Sequence, residues 1–302
     1  MTNYAGYGGP WMENKWIAHF TPERNVSERM FEQAFGPFIP LFVRWVDTWK
    51  SDPRGYRDVV RYTCDLLSSQ HLYVTVSQHD DGITARKNSL PFSPCRDKNL
   101  LVLSAGGSGN VIIPLLKAPE SLRRPLNPPV FQLVFAGSAS RVRRPILKIL
   151  RARMGQSFGC YKGEDFRSYW DKSRFVLTPR GYGKTAFMMY EALQMGYVPV
   201  YVWKDEEWIP YKGSATADLR KIGISINIRN LSTLPNILRS VTDKQLEERR
   251  EAIRRVRESH FTYEGVMEQI KSFLHQPCQA ELKVHSQLAV CHLPEQFEGR
   301  RR

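Results

Sequence analysis

Between Ser173 and Val202 the chain reads SRFVLTPRGYGKTAFMMYEALQMGYVPVYV, and few structures accommodate this stretch. Phe175-Val176-Leu177 is a short apolar run suited to a buried strand. Pro179 to Thr185 is a glycine-rich turn, and the segment from about Ala186 to Met195 reads as a helix stopping at Gly196. Val198 to Val202 is the next strand. A glycine turn feeding a helix N-terminus offers free backbone N–H groups and the positive end of the helix dipole, which together suit a phosphate. Arg180 and Lys184 add full charges and Thr185 a hydroxyl donor. The segment therefore predicts a phosphorylated ligand.

Gly183-Lys184-Thr185 matches the end of a P-loop, G-x-x-x-x-G-K-[ST], but Thr178 stands where its first glycine belongs. That glycine lets the loop wrap a triphosphate, and Pro179 stiffens the turn where the loop must curl. A P-loop NTPase or kinase, with Asp205 posing as its second acid, is the alternative reading.

The rest of the 302-residue chain bounds the class. A hydrophobic content of 42% supports a substantial core, and the length suits one large domain or two medium ones. No apolar run is long enough to span a membrane. MTNYAGYGGPWMENKW has no basic-then-apolar leader, which predicts a cytoplasmic chain or one whose anchor has been trimmed away. Cys64, Cys95, Cys160, Cys278 and Cys291 are odd in number and far apart, and are expected to be idle thiols rather than a disulfide framework or zinc ribbon. The net charge of +14 admits nucleic acid as a partner. No zinc-finger, RNP or homeodomain pattern accompanies it, and no nucleic-acid partner is expected. The basic cluster Arg123-Arg124, Arg141, Arg143-Arg144, Lys148, Arg151 and Arg153 has few acids and precedes the phosphate turn, as the lining of an anionic cleft would.

Strand-like and helix-like segments alternate along the chain. Strands are predicted at Leu72–Ser77, Asn99–Ser104 and Val130–Ala136, and within Phe38–Val46 leading into a helix. Helices are predicted at Ser27–Phe35, with Ser27 as N-cap, and at Asp58–Ser69, Arg143–Met154, Glu164–Lys172, Leu234–Leu238, Asp243–Ser259 and Gly265–His275. The proline-rich Lys117–Pro129 reads as a linker. The expected organisation is an N-terminal lobe over 1–122, a C-terminal nucleotide-sugar lobe over 130–276 and a tail over 277–302. Alternation of this kind predicts an α/β fold with parallel sheets.

An ordered set of motifs resembles the exostosin-like glycosyltransferases (family 47). It comprises Pro179-Arg180-Gly181, Thr185, Glu191-Ala192-Leu193, Gly196 and Pro199-Val200. Earlier come Tyr73–Gly82 (YVTVSQHDDG) and Phe135-Ala136-Gly137 followed by Arg141 and Arg144. Later come Asp205–Pro210 (DEEWIP), Leu234–Leu238 and Phe261-Thr262-Tyr263. The resemblance spans roughly residues 1 to 275 and is closest in kind to the short, anchorless forms of algae and large algal viruses. It implies a GT-B type fold, two Rossmann-like lobes facing a cleft. It implies an inverting transfer of xylose or another UDP-linked sugar from a nucleotide donor to a hydroxyl of an oligosaccharide or glycoprotein glycan. No D-x-D motif is present, so no metal and no cofactor are expected.

For the donor, the resemblance implies that Arg144, Arg180, the amides around Gly181, Lys184 and Thr185 neutralise the diphosphate. It implies that Glu191, six residues after Thr185, accepts the ribose hydroxyls. Tyr190 and Trp208 carry flat rings able to face the base. For the acceptor, Asp80 at the end of the Leu72–Ser77 strand is the expected base, and His79 is its rival. The alternative for both is that they fix the turn before Gly82. Gly106-Gly107-Ser108-Gly109 could approach a substrate closely, and Tyr7–Trp11 could close over a sugar.

Overall fold

A computed structural model describes residues 11–20, 28–84, 99–163, 165–277 and 279–283, with the backbone alone for Trp11 and residues 28–31. In chain order the elements are α1 (Trp11–Phe20), α2 (Glu28–Phe35), β1 (Phe38–Pro40), α3 (Trp45–Ser51), α4 (Tyr56–Leu66), β2 (Leu72–Ser77), β3 (Leu100–Ser104) and β4 (Val111–Ile112). Then follow β5 (Phe131–Ala136), α5 (Arg144–Met154), β6 (Phe158–Tyr161), α6 (Phe166–Asp171), β7 (Ser173–Pro179), α7 (Phe187–Met195) and β8 (Pro199–Trp203). The chain continues with α8 (Leu219–Ile222), β9 (Ile224–Asn227), α9 (Leu234–Ser240), α10 (Asp243–His260) and α11 (Tyr263–His275). Ser27 and Tyr7–Pro10 lie outside the described residues. No described helix is long and apolar enough to cross a membrane.

The chain divides into two units, Met1–Leu115 with Tyr263–Arg302, and Leu116–Thr262. In the first unit the order β1-β2-β3-β4 is parallel throughout. Every side chain of β2 and β3 is buried, which is why both read as unbroken apolar runs rather than alternating ones. Thr75 and Ser77 are the buried polar residues of β2, and Thr75 is the one with both hydrogen bonds to other segments described. Its hydroxyl accepts from Trp45 Nε1 and donates to the Leu41 carbonyl, each at 2.9 Å, so it is buried without loss. Cys64 packs in the core with Trp45, Tyr56, Tyr73 and Val102. It is disulfide-bonded, while Cys160 is free. This corrects the expectation of an idle thiol at Cys64, whereas Cys160 is a free thiol as expected, and Cys95, Cys278 and Cys291 lie outside the described residues.

The second unit is a five-stranded parallel sheet in the order β6-β5-β7-β8-β9. Counted within the unit this is 2-1-3-4-5, the doubly wound order, whose connections reverse direction between β5 and β7. In open sheets of this kind ligands bind at the carboxyl ends of the strands, at that switch point.

Two boundaries differ from the sequence reading. Lys117–Pro129 is not a free linker but packs on the second unit, where Arg123 N donates to Met195 O at 3.0 Å and Leu126 N to Asp171 O at 2.7 Å. Helix α11 was expected in the C-terminal lobe but belongs to the first unit. There Val266, Met267, Ile270, Phe273 and Leu274 are buried, and the helix packs against α1 and α2. The segment after it begins packed rather than loose, with Ala280 and Leu282 buried.

Candidate functional site

The turn after β7 sits at the switch point. Val176 to Pro179 pair with Pro199 to Val202, so the strand runs through Pro179 and the turn opens only at Arg180. Thr178, where a P-loop needs its first glycine, is a fully buried strand residue. The first-glycine position of a P-loop therefore lies inside a paired strand rather than in the loop, which counts against the P-loop alternative.

Within the turn the carbonyls are tied back. Gly181 N donates to Thr185 O at 3.0 Å and closes the loop. The Arg180 guanidinium folds over it, donating through Nε to Gly183 O and through Nη2 to Tyr182 O, both at 2.9 Å. Tyr201 Oη donates to Lys184 O at 2.5 Å, and Arg143 Nε to Arg180 O at 3.3 Å. The N–H groups of Gly183, Lys184 and Thr185, by contrast, have no acceptor among the described residues. Buried amides are rarely left so. Thr185 is 2% exposed, and its hydroxyl has no partner among them either. Helix α7 then follows Ala186, whose side chain makes no cap, so the positive end of its dipole lies at the turn. Orphan amides, an orphan hydroxyl and an uncapped helix start converge on one turn, the donor set of an anion site.

Three cations border it. Arg180 is also paired with Asp205, Nη1 to Oδ2 at 2.9 Å. Lys184 is paired with Glu206, and its ammonium lies 4.6 Å from the centre of the Trp208 ring. The third is Arg143. It follows β5, donates to Ser138 O as well as Arg180 O, and is held below the usual arginine range by burial. Arg144, the residue expected from the motif, is exposed on α5, with its Nε on Ala139 O. The reason is helical phase. Arg143 caps α5 and turns toward β7, while Arg144 and the other basic residues, Lys148, Arg151 and Arg153, line the exposed face. In a run of neighbouring arginines the sequence carries no sign of which one turns inward.

On α7 every residue is buried except Phe187 and Glu191. One turn apart, these two share a face. The Glu191 carboxyl accepts no hydrogen bond among the described residues, and burial raises it above the usual glutamate range. Lys117 and Arg167 oppose that shift, and Glu120, which is paired with Arg167, adds to it. A desolvated carboxylate with open acceptor positions is a site for hydroxyl donors. Tyr190 and Trp208 depart from expectation. Each is 1% exposed, so neither offers a ring face for stacking. The aromatic residues at the surface of this segment are Phe187, half-buried, and Tyr182, 60% exposed.

In the first unit, His79 and Asp80 follow β2. His79 Nδ1 accepts the Asp81 N–H at 3.0 Å, so in the neutral ring the proton sits on Nε2, which then has no free lone pair. Burial lowers its pKa, Asp81 opposing this and Lys50 adding to it. Its ring meets Trp49 edge-on at 4.6 Å, and its carbonyl accepts Gly82 N at 3.0 Å. The residue is committed to the turn and is not a general base in this arrangement. Asp80 is half-buried at the tip of the same turn. Gly106 is glycine for this turn's sake: a Cβ there would lie 2.5 Å from Gln78 O and 2.6 Å from His79 O. The glycine-rich stretch thus packs against protein backbone.

Sequence reasoning missed Glu13. It is fully buried, accepting Gln78 N at 2.8 Å through Oε1 and Val46 N at 3.0 Å through Oε2. It thereby ties the start of the His79–Asp80 turn to α3. Burial, reinforced by Asp47, pushes its carboxyl up to about 8 against these hydrogen bonds and Lys50. A single Glu in an N-terminal segment without periodicity carries no signal of this.

No family model matches the chain. It is 30% identical over 108 residues to "Exostosin-1 homolog" of Caenorhabditis elegans, a match covering 33% of this chain and 27% of that protein. The chain thus spans about a quarter of the length of the curated relative it matches. Among solved structures it is similar to the GtfA/B complex, with 13% identity and a TM-score of 0.40 over 72% of this chain and 60% of that one. It is also similar to TarM, with 11% identity and a TM-score of 0.41 over 68% and 50%.

Proposed function

We propose that the chain is a glycosyltransferase that binds a nucleotide sugar, a UDP-sugar, on its second unit. One observation carries this reading. The switch-point turn has most of its carbonyls tied back, leaves the N–H groups of Gly183, Lys184 and Thr185 without an acceptor among the described residues, is bordered by Arg143, Arg180 and Lys184, and leads into a helix that carries a desolvated carboxylate, Glu191. The first part suits a diphosphate and the second the ribose hydroxyls. The ordered motifs and the stretch similar to an exostosin homologue support the same assignment.

In this mechanism the leaving diphosphate gains charge as the glycosidic bond breaks. Amides and cations fixed in place before the reaction stabilise that charge without reorganising. The neutralisation comes from the chain's own residues, so the reaction is assigned as metal-independent. Asp80 takes the proton of the acceptor hydroxyl of an oligosaccharide or glycoprotein glycan, and the hydroxyl attacks opposite the leaving group, inverting the anomer. The donor sugar is xylose or another UDP-linked sugar.

Thermal unfolding against UDP, GDP, ATP and a panel of UDP-sugars, each with Mg²⁺ and with EDTA, tests the donor assignment. A ligand at about 100 times its Kd adds about 2.7 kcal/mol. Stabilisation by UDP and one UDP-sugar, unchanged by EDTA, is expected. Stabilisation by ATP alone, and only with Mg²⁺, would overturn the reading.

A further inference from the structure

The cations of the phosphate turn are already satisfied. Arg180 Nη1 bonds Asp205, and Lys184 bonds Glu206, and both acids lie on the loop that follows β8. The Asp205 side chain is 65% exposed and that of Glu206 34%, so each can swing into solvent at little packing cost. Arg180 is built for such an exchange. Nε and Nη2 hold the turn's own carbonyls, so losing Asp205 frees one edge of the guanidinium while the turn keeps its shape. The next acid, Glu207, behaves differently. It accepts Ser225 Oγ at 2.6 Å and pairs with Lys212 at 3.1 Å, away from the turn.

We propose that Asp205 and Glu206 are a built-in competitor of the nucleotide diphosphate, exchanging with it on Arg180 and Lys184 and returning to them to drive the product nucleotide off. The proposal rests on the donor assignment above and adds a role for residues that contribute no attraction to the donor. Two carboxylates held on the same chain are at high effective concentration. They therefore lower the affinity for any diphosphate in proportion to the pairs it must break, and they reoccupy the cations when it leaves. Release of a charged product limits many enzymes, and a refilling pair shortens its residence.

The test is UDP binding and dissociation by calorimetry and stopped flow, for the wild type, Asp205→Asn/Glu206→Gln and Glu207→Gln, with uridine as the phosphate-free probe. Two part-exposed ion pairs together correspond to about a tenfold change. The double variant should bind UDP about tenfold tighter and release it more slowly, with uridine affinity unchanged and stronger product inhibition in turnover. Glu207→Gln, with the same charge change per residue but no contact with the turn, should leave UDP affinity nearly unchanged. Unchanged or weaker UDP binding in the double variant overturns the proposal. So does equal tightening in Glu207→Gln, which would show a general field rather than an exchange. A wild type that binds no UDP overturns the donor assignment itself, whereas a wild type that binds UDP beside an unresponsive double variant overturns only the competitor.

Discussion

Glu191 shows how surroundings change the chemistry open to one residue type. On an open helix face a glutamate is a solubility residue, but on α7 it is one of two positions not buried, and its carboxyl is desolvated and accepts no hydrogen bond among the described residues. Glu191→Ala should weaken UDP and uridine alike while leaving inorganic diphosphate unaffected. Charged hydrogen bonds are each worth about 1.5–3 kcal/mol, so titration calorimetry should show a loss of at least tenfold. Asp80→Asn should lower transfer by a factor of about 100 or more with UDP affinity intact; full transfer activity would remove Asp80 as the base. Glu13 gives a pH signature. Its folded pKa of about 8 lies above the ordinary 4.5, so across that window the folded chain keeps a proton that the unfolded chain releases. Stability is therefore fully present below the window and declines as pH rises through it. Glu13→Gln should flatten the slope seen in denaturant titrations at different pH. Its amide cannot accept one of the two N–H donors, a baseline loss of about 1–3 kcal/mol.

At the scale of elements, β7, the turn, α7 and β8 were legible because each boundary has a local cause. Phe175 to Leu177 mark the strand, and the observed strand extends to Pro179. Helix α7 ends at Gly196 because the chain enters the left-handed region there, φ +83°. Gly196→Ala should cost about 1 kcal/mol, seen as a lower urea midpoint at unchanged slope. Strands β6 and β9 had no such marks. Each is four residues long and is fixed by its pairing with β5 or β8. The same dependence explains Arg143 and Arg144. Adjacent in sequence, they differ only in which side of the α5 start faces β7, and that is a property of packing.

At the scale of the molecule, α11 makes unit 1 discontinuous in sequence. Its buried Val266, Met267, Ile270, Phe273 and Leu274 are core that α1 and α2 lose if the chain stops at Thr262. Such a truncation should expose unit 1 to limited proteolysis while the 116–262 region stays resistant and is still stabilised by UDP. Resistance of both regions would show that α11 is dispensable to unit 1.

The chain by itself determined the α/β class, the strand–turn–helix proposed as the anion site, and where Arg180, Lys184, Thr185 and Glu191 fall along it. These follow from local periodicity, turn chemistry and glycine, which act over a few residues. Only the tertiary structure decided that β5 lies beside β7, bringing Arg143 to the turn, that Tyr190 and Trp208 are core, that His79 is spent on its own turn, and that Glu13 is buried beneath it. Those outcomes depend on which distant segments bury one another's surface, and burial is settled by the whole fold rather than by neighbours in sequence.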